Sequence, residues 1–313
     1  MDFIRAVAFL LAAGAALAAV LSLGGAFNDK LDLFAQATPL WLAMALTALA
    51  AQLLTGAGRW TMAPALVAVA IALILMGPDL IACLAAPHAA PRGQTLKVIQ
   101  FNVWDRNRDP AATARWILNQ NADVVVLEET GDGQVPAALA DRYPFRTPCG
   151  GDCATIIFSK TAPAGGGVID WPGLGPRHTG AWATFGGGPD AFTVAGMHYV
   201  WPIPPGPQSD QARRFAATLT PFDQRSLIVC GDFNLNPWSF GLRRQDRRLG
   251  IPRLTHAIFS WPAGPISHWR LHLPVALLAV DHIYAGKAWA PVSVERGPLL
   301  GSDHYPVVAV LTR

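Results

Sequence analysis

The sequence predicts a layered α/β or α+β sandwich that follows three membrane-spanning helices. Three observations carry this. Uncharged apolar runs fill residues 6–28, 33–58 and 60–78. From Thr95 onward, short runs rich in β-branched residues alternate with stretches of helical spacing. No Gly-rich nucleotide-binding fingerprint accompanies them.

Each apolar run is long enough for a helix that crosses a bilayer, which needs about 20 residues. The first follows Arg5 and contains small residues, like a cleaved signal peptide, but its apolar core is long and two further runs follow it. Three spans is therefore the preferred count. Gly24-Gly25, Gly56 and Gly77-Pro78 fall near the ends of the runs. Arg5 precedes the first run and Arg59 separates the second from the third, whereas the intervening loop reads Asp29-Lys30-Leu31-Asp32. The positive-inside rule places Arg5 and Arg59 in the cytoplasm. Everything after about residue 85 then lies on the far side of a bacterial-type cell membrane, periplasmic or extracellular. The expected organisation is a membrane domain over 1–85, a Pro-containing linker over 86–95 and a catalytic domain over 96–313, with the lipid bilayer as partner.

Only 14% of the 313 residues are charged. The part after residue 85 is weakly basic, far from the patchwork of a dedicated nucleic-acid binder. Cys83 lies at the end of the third span and Cys230 sits in an apolar strand. Cys149 and Cys153, in a turn-like Pro-Cys-Gly-Gly-Asp-Cys, could close a disulfide in an oxidising compartment. Half of a zinc site is the alternative, and no second Cys/His pair with suitable spacing supports it.

Within the soluble part, Thr95 to Asn102 reads as a strand, and Asp109-Pro110 starts a helix over 110–120. Ala122 to Glu129 is an oily strand running into two carboxylates. Strands follow over 154–159, 181–185 and 191–198, with a Gly/Pro-rich loop between the first two. Helices are expected over 208–219 and 237–249, the second carrying Arg243, Arg244, Arg247 and Arg248. A loop fills 261–275, and strands cover 277–284 and 307–311. The central stretch is Leu227-Ile228-Val229-Cys230-Gly231-Asp232-Phe233-Asn234. It reads as a buried strand whose end sends Asp232 and Asn234 to the same side, residues two apart in extended chain sharing a face. An Asx turn is the plainer reading of the same residues.

The ordered set Asn102, Glu129, His198, Gly231-Asp232-Phe233-Asn234, Asp281-His282 and Ser302-Asp303-His304 resembles the endonuclease/exonuclease/phosphatase (DNase I-like) superfamily. The resemblance covers roughly 95–313. It implies a four-layer α/β/β/α sandwich and Mg²⁺-dependent hydrolysis of phosphoesters, with Mn²⁺ as the substitute metal. By resemblance Glu129 is the metal ligand, an oxygen donor suited to hard Mg²⁺. Asn102 and Asp303 complete the metal's surroundings, directly or one layer out. Glu128 departs from the family's Gln-Glu pair, either adding charge near the metal or standing solvated at the strand end. The resemblance pairs Asp281 with His304 to activate or orient the attacking water or to stabilise charge on phosphorus. Asp232 is the competing base, while Asn234 and His198 donate hydrogen bonds to phosphate oxygens, His198 best when protonated. His282 is assigned no role.

The runs His198 to Pro205, Asn234 to Ser239 and Ser260 to Ala263 resemble a membrane-anchored subgroup of VanJ-type proteins. That resemblance implies a lipid-linked (pyro)phosphate substrate, and tethering favours any membrane-borne substrate. Trp201, Trp238, Trp261 and Trp269 could form an apolar rim, or simply pack. The alternatives are an anchored extracytoplasmic nuclease, with the Arg243-to-Arg248 cluster on nucleic-acid phosphates, and a non-catalytic binding module.

Overall fold

An apolar run can satisfy its backbone in lipid only as a closed hydrogen-bonded element, and the first 85 residues are helical apart from short turns at 27–28, 37 and 55–58. In the computed structural model these helices are α1 (Asp2–Leu23), α2 (Asp29–Gln36), α3 (Thr38–Leu54) and α4 (Arg59–Ala85). The model describes all residues except 86–88, 132, 149–153, 172–178, 267–270 and 273–274, with backbone alone at 265–266 and 271–272. The helices bury small residues: Ala12 and Ala15 of α1, Ala45 and Ala48 of α3, Ala65 and Ala68 of α4. Large side chains such as Leu10, Leu17, Leu73 and Ile74 point outward. This pattern suits helices that pack closely in lipid, where outward leucine is at no disadvantage.

Two helices, Asp2–Ala26 with its terminal turn and Arg59–Ala85, are long and apolar enough to cross a membrane; a third crossing counts if α2 and α3 form one bent span. The second apolar run is thus broken, bending by 54°. Ala37 breaks the ladder, and Pro39, the second residue of α3, has no N–H to give back to α2, whose Ala35 carbonyl accepts the Thr38 hydroxyl instead (2.6 Å). The third run does not stop at Gly77-Pro78: α4 passes through Pro78 and a buried Asp79 to Ala85.

The chain forms two compact units. One comprises Met1–Ala85 together with Leu235–Arg244, a partner for the helices that the sequence did not announce. Within this unit α2 holds the 235–244 segment. The Asp32 carboxylate accepts the N–H groups of Phe240 (2.8 Å) and Gly241 (2.6 Å) at the start of α8 (Phe240–Leu249). Arg244 donates to the Gly25 carbonyl (2.9 Å) and to Asp29 (2.6 Å), and Arg243 donates to the Leu75 carbonyl (2.7 Å).

The second unit contains Ala86–Asn234 and Gln245–Arg313. Its larger sheet has six strands: β12 (Ala290–Arg296), β13 (Val307–Thr312), β1 (Thr95–Asn102), β2 (Val124–Glu128), β4 (Thr155–Ser159) and β3 (Phe145–Arg146), in that order. The other has five: β11 (Asp281–Ala285), β8 (Ile228–Asp232), β7 (Phe192–His198), β6 (Gly180–Phe185) and β5 (Gly165–Ile169). A two-stranded pair, β9 (Pro265–Ile266) and β10 (Leu271–His272), lies apart. One core cluster draws residues from both sheets, among them Val98, Val126 and Ile157 with Val194, Ile228 and Cys230. They approach tightly at Gly196, where a Cβ would stand 2.6 Å from Val126 and 2.8 Å from Thr155. A second cluster fills the other face of the six-stranded sheet, under α5 (Pro110–Gln120) and α6 (Gln134–Leu139).

Two parallel pairs position the site. β1 and β2, joined through α5, end together with Asn102 opposite Glu128. β7 and β8, joined through α7 (Pro207–Leu219), end with His198 opposite Asp232. Antiparallel β11 begins at that level, Asp281 opposite Asp232. Parallel strands joined by one crossover deliver their C-terminal residues to the same edge. The strand expected over 277–284 starts only at Asp281, because the Leu277 and Leu278 N–H groups turn to the Trp261 carbonyl. The Gly/Pro-rich loop expected after residue 159 includes β5, whose glycines make room for Trp182: a Cβ on Gly167 would lie 2.9 Å from its indole nitrogen.

Candidate active site

All eight side chains singled out in the sequence gather at the strand ends. Asn102 leaves β1 and donates from Nδ2 to Glu129 Oε1 (3.0 Å) and Asp232 Oδ2 (3.1 Å), while its Oδ1 accepts the Trp104 N–H (3.0 Å). It therefore holds two carboxylates in place and presents its oxygen to the backbone. Glu129 follows β2 with a left-handed φ of 49°, a turn that swings its carboxylate toward β7. His198 Nε2 stands 3.4 Å from Glu129 Oε1 and 3.6 Å from Asp232 Oδ2. Burial pushes the Glu129 carboxyl up, but His198, the Asn102 amide and His304 together leave it below the ordinary value.

Asp232 ends β8, where Gly231 adopts φ 151° and a Cβ would lie 1.8 Å from the Met197 carbonyl oxygen. Only glycine fits there. Burial raises Asp232 to about 6, against the pull of His304 and with the push of Asp281. His304 Nδ1 is 2.8 Å from Asp281 Oδ2, and its Nε2 is 3.6 Å from Asp232 Oδ2. Burial works against the imidazolium, yet Asp281 and Asp232 hold the His304 pKa well above its usual value. Asp281 itself is kept low by His304 and by hydrogen bonds from Ser260 and Gln100, despite complete burial. Ser302 braces the turn: its Oγ donates to the Asn102 carbonyl (2.7 Å) and accepts the His304 N–H (3.0 Å). Asp303 accepts the Trp261 indole N–H at Oδ2 (3.2 Å), and its buried Oδ1 has no hydrogen-bond partner among the described residues. Burial raises its carboxyl despite the neighbouring His304.

Asn234 is the eighth. Its Nδ2 donates to the Tyr199 carbonyl (2.9 Å) and, at 3.4 Å, to Asp232. Donation to a phosphate requires exchange of the longer bond.

Glu128 is neither solvated nor a surface charge. It is fully buried, and burial, with Asp281 and Asp232 nearby, raises its carboxyl well above the ordinary value. Gln100, two residues before Asn102 on the same face of β1, donates to both Glu128 Oε2 (3.0 Å) and Asp281 Oδ1 (2.8 Å). Strand alternation from Asn102 was the signal that could have found it. His282 is buried against Thr255 (3.1 Å). Trp238 is 1% exposed, with its indole N–H on the Gln36 carbonyl, so it is packing and not rim. Trp201 is exposed and meets Trp261 edge to face at 5.9 Å. Trp269 and the expected Cys149–Cys153 disulfide lie outside the described residues.

A divalent cation fits this donor set. Glu129, His198 and Asp232 place one ligand atom each within 4.8 Å of one another, as do Asp232, Asp281 and His304. Asp303 stands outside both groups, its buried Oδ1 without a hydrogen-bond partner among the described residues.

Residues 99–304 match the family model described as Endonuclease/Exonuclease/phosphatase family. No curated protein matches the sequence. Among solved structures, sphingomyelinase C from Streptomyces griseocarneus is 18% identical, with a TM-score of 0.52 over 71% of this chain and 100% of that one. D. rerio TDP2 complexed with single strand DNA product is 17% identical, with a TM-score of 0.56 over 71% and 100%. A mutant of beta toxin from Staphylococcus aureus with bound magnesium ions is 13% identical, with a TM-score of 0.53 over 70% and 100%. At such identities the likeness is one of fold.

Proposed function

The chain belongs to the endonuclease/exonuclease/phosphatase family of phosphoester hydrolases, and from that premise we propose a membrane-anchored, Mg²⁺-dependent phosphatase of a lipid-linked (pyro)phosphate. Its site lies on the non-cytoplasmic side, in a four-layer α/β/β/α sandwich, and within the family it groups with the VanJ-type membrane proteins. The observation that carries the chemistry is the contact of His304 with both Asp281, at 2.8 Å, and Asp232, at 3.6 Å.

His304, held protonated by two carboxylates, is a donor to phosphate oxygen and not a base. Asp232, raised to about 6, is ionised at neutral pH and only weakly acidic once protonated, as a general base must be. It takes the proton of the attacking water. His198 donates to the phosphate from the Glu129 side. Glu129 would hold the cation, with Asp303 as a further oxygen donor, and Asn102 orients the Glu129 and Asp232 carboxylates. When bound, the cation neutralises charge developing on the phosphoryl oxygens.

The helices support the lipid substrate and the orientation. α2 comes after the first crossing and the 235–244 segment after the last, yet they are hydrogen-bonded to one another. With α4 long and apolar enough to cross, both can occupy one side of a bilayer only if α3 crosses as well, which favours three spans. Trp201 and Ile203, 56% and 67% exposed, offer apolar contact to a lipid. The nuclease alternative loses its best support, because Arg243 and Arg244 are engaged by the helical unit.

The test is twofold. Ala at His304 or Asp232 should abolish metal-dependent hydrolysis, and full retained activity would sink the mechanism. A reporter fused after Arg313 should work only outside the cytoplasm; cytoplasmic activity would reverse the orientation.

A further inference from the structure

We propose that Asp32 and Gln36 of α2 are positioning residues for the hydrolytic site. They act through the 235–244 segment, so that the membrane helices are part of the catalytic machinery's support and not a passive tether. This rests on the reading of Asp232 and Asn234 as site residues.

The chain runs from Asp232 and Asn234 directly into Leu235. From Asn236 onward, α2 grips the backbone and side chains through several hydrogen bonds. Gln36 Oε1 accepts the Asn236 backbone N–H (2.9 Å) and its side-chain Nδ2 (2.7 Å). The Gln36 carbonyl accepts the Trp238 indole N–H (3.2 Å). Asp32 then takes the first two N–H groups of α8, which its own sequence leaves without a capping carboxylate. Asp32 is 5% exposed, Asn236 and Trp238 1% each, so these bonds are shielded from water. Two glycines make the approach possible. A Cβ on Gly25 would lie 2.6 Å from Asp32 Oδ1 and 2.9 Å from Phe240, and one on Gly241 would lie 3.0 Å from Asp32 Oδ2. Asn236 thus stands two residues from Asn234 and four from Asp232, with its backbone pinned.

Such a clamp matters because catalysis is steep in position: a displacement of about 1 Å costs on the order of 100-fold. The Asn234 N–H holds Asp232 Oδ1 at 2.9 Å, so slack beyond Asn234 reaches the base directly.

The experiment uses the full-length protein in detergent. Asp32→Ala and Gln36→Ala are compared with Lys30→Ala, an exposed neighbour on the same helix. Hydrolysis is measured on a lipid pyrophosphate and on a small soluble phosphoester, with hydrogen exchange of the 235–244 amides on the same samples. The clamp predicts a fall in kcat of about 10- to 100-fold on both substrates, with KM little changed. Exchange should rise at residues 236–244, and Lys30→Ala should match wild type. A kcat within about twofold of wild type with unchanged exchange overturns the proposal. So does a loss confined to the lipid, which would make α2 a substrate contact. Where Asp32→Ala fails to fold, Gln36→Ala gives the same two readings. Should wild type hydrolyse neither substrate, the proposed reaction fails, while the exchange arm still decides whether α2 holds the segment.

Discussion

Replacing Asp281 by Asn changes one atom and tests the central pair of the site. Asp281 is fully buried, accepts from Gln100 on one oxygen and faces His304 Nδ1 at 2.8 Å with the other. Asn keeps the shape and can still accept from Gln100. Its amide N–H then points at His304 Nδ1, which must accept, so the imidazole loses the proton it shared there and with it the positive charge. Asp281 is the largest influence holding that charge against burial, and Asp232 alone remains. A neutral donor replaces a charged one at the phosphate, and removing one such donor costs on the order of 10²–10³ in kcat, about 3–4 kcal/mol. Phosphate release at saturating Mg²⁺ measures it, with His304→Ala and the double variant alongside. The pair works as a unit, so the double variant should fall no further than His304→Ala alone. A kcat for Asp281→Asn within about threefold of wild type refutes the reasoning, as does a double variant whose losses multiply.

The same geometry makes three other outcomes testable. Asp232 must be ionised to act as a base, and its pKa is raised to about 6, so activity at sub-saturating Mg²⁺ should fall as pH drops from 7 through 6. Filling the site with cation favours the carboxylate and moves this limb lower; a flat profile from pH 7 to 5 at low Mg²⁺ contradicts the assignment. Gly231→Ala forces a Cβ into the Met197 carbonyl and should cost more than about 4 kcal/mol, read as loss of folded protein or a large drop in Tm; a shift worth under about 1 kcal/mol contradicts the geometry. A chelator should abolish hydrolysis and added Mg²⁺ should restore it, whereas activity that survives chelation removes the metal from the account.

Central strands and the edge strand β11 were legible in the sequence, whereas the edges β5 and β12 were not. β2 and β8 are oily because both faces are covered, and their ends carry Glu128-Glu129 and Asp232 in plain view. β5 is an edge whose Gly167 makes room for an indole, and β12 is a half-exposed edge with a register shift between Pro291 and Ser293. Neither has a composition that favours strand, since pairing with a neighbour and not propensity makes them extended. The site residues could be ordered along the chain, but partners distant in sequence could not be read. Gln100 meets Asp281 across 181 positions, and Asp32 meets Phe240 across 208. Trp238 misled for the same reason: it looks like a lipid-facing aromatic until Gln36 is found over its indole.

The most direct test of the account is phosphate release by the full-length protein in detergent with Mg²⁺. Undecaprenyl pyrophosphate would be compared with single-stranded and duplex DNA, with the Glu129→Ala variant as blank. Release from the lipid alone is the predicted result and would establish a cell-envelope phosphatase. Cleavage of DNA with the lipid untouched would contradict it, leaving the helices to anchor a nuclease.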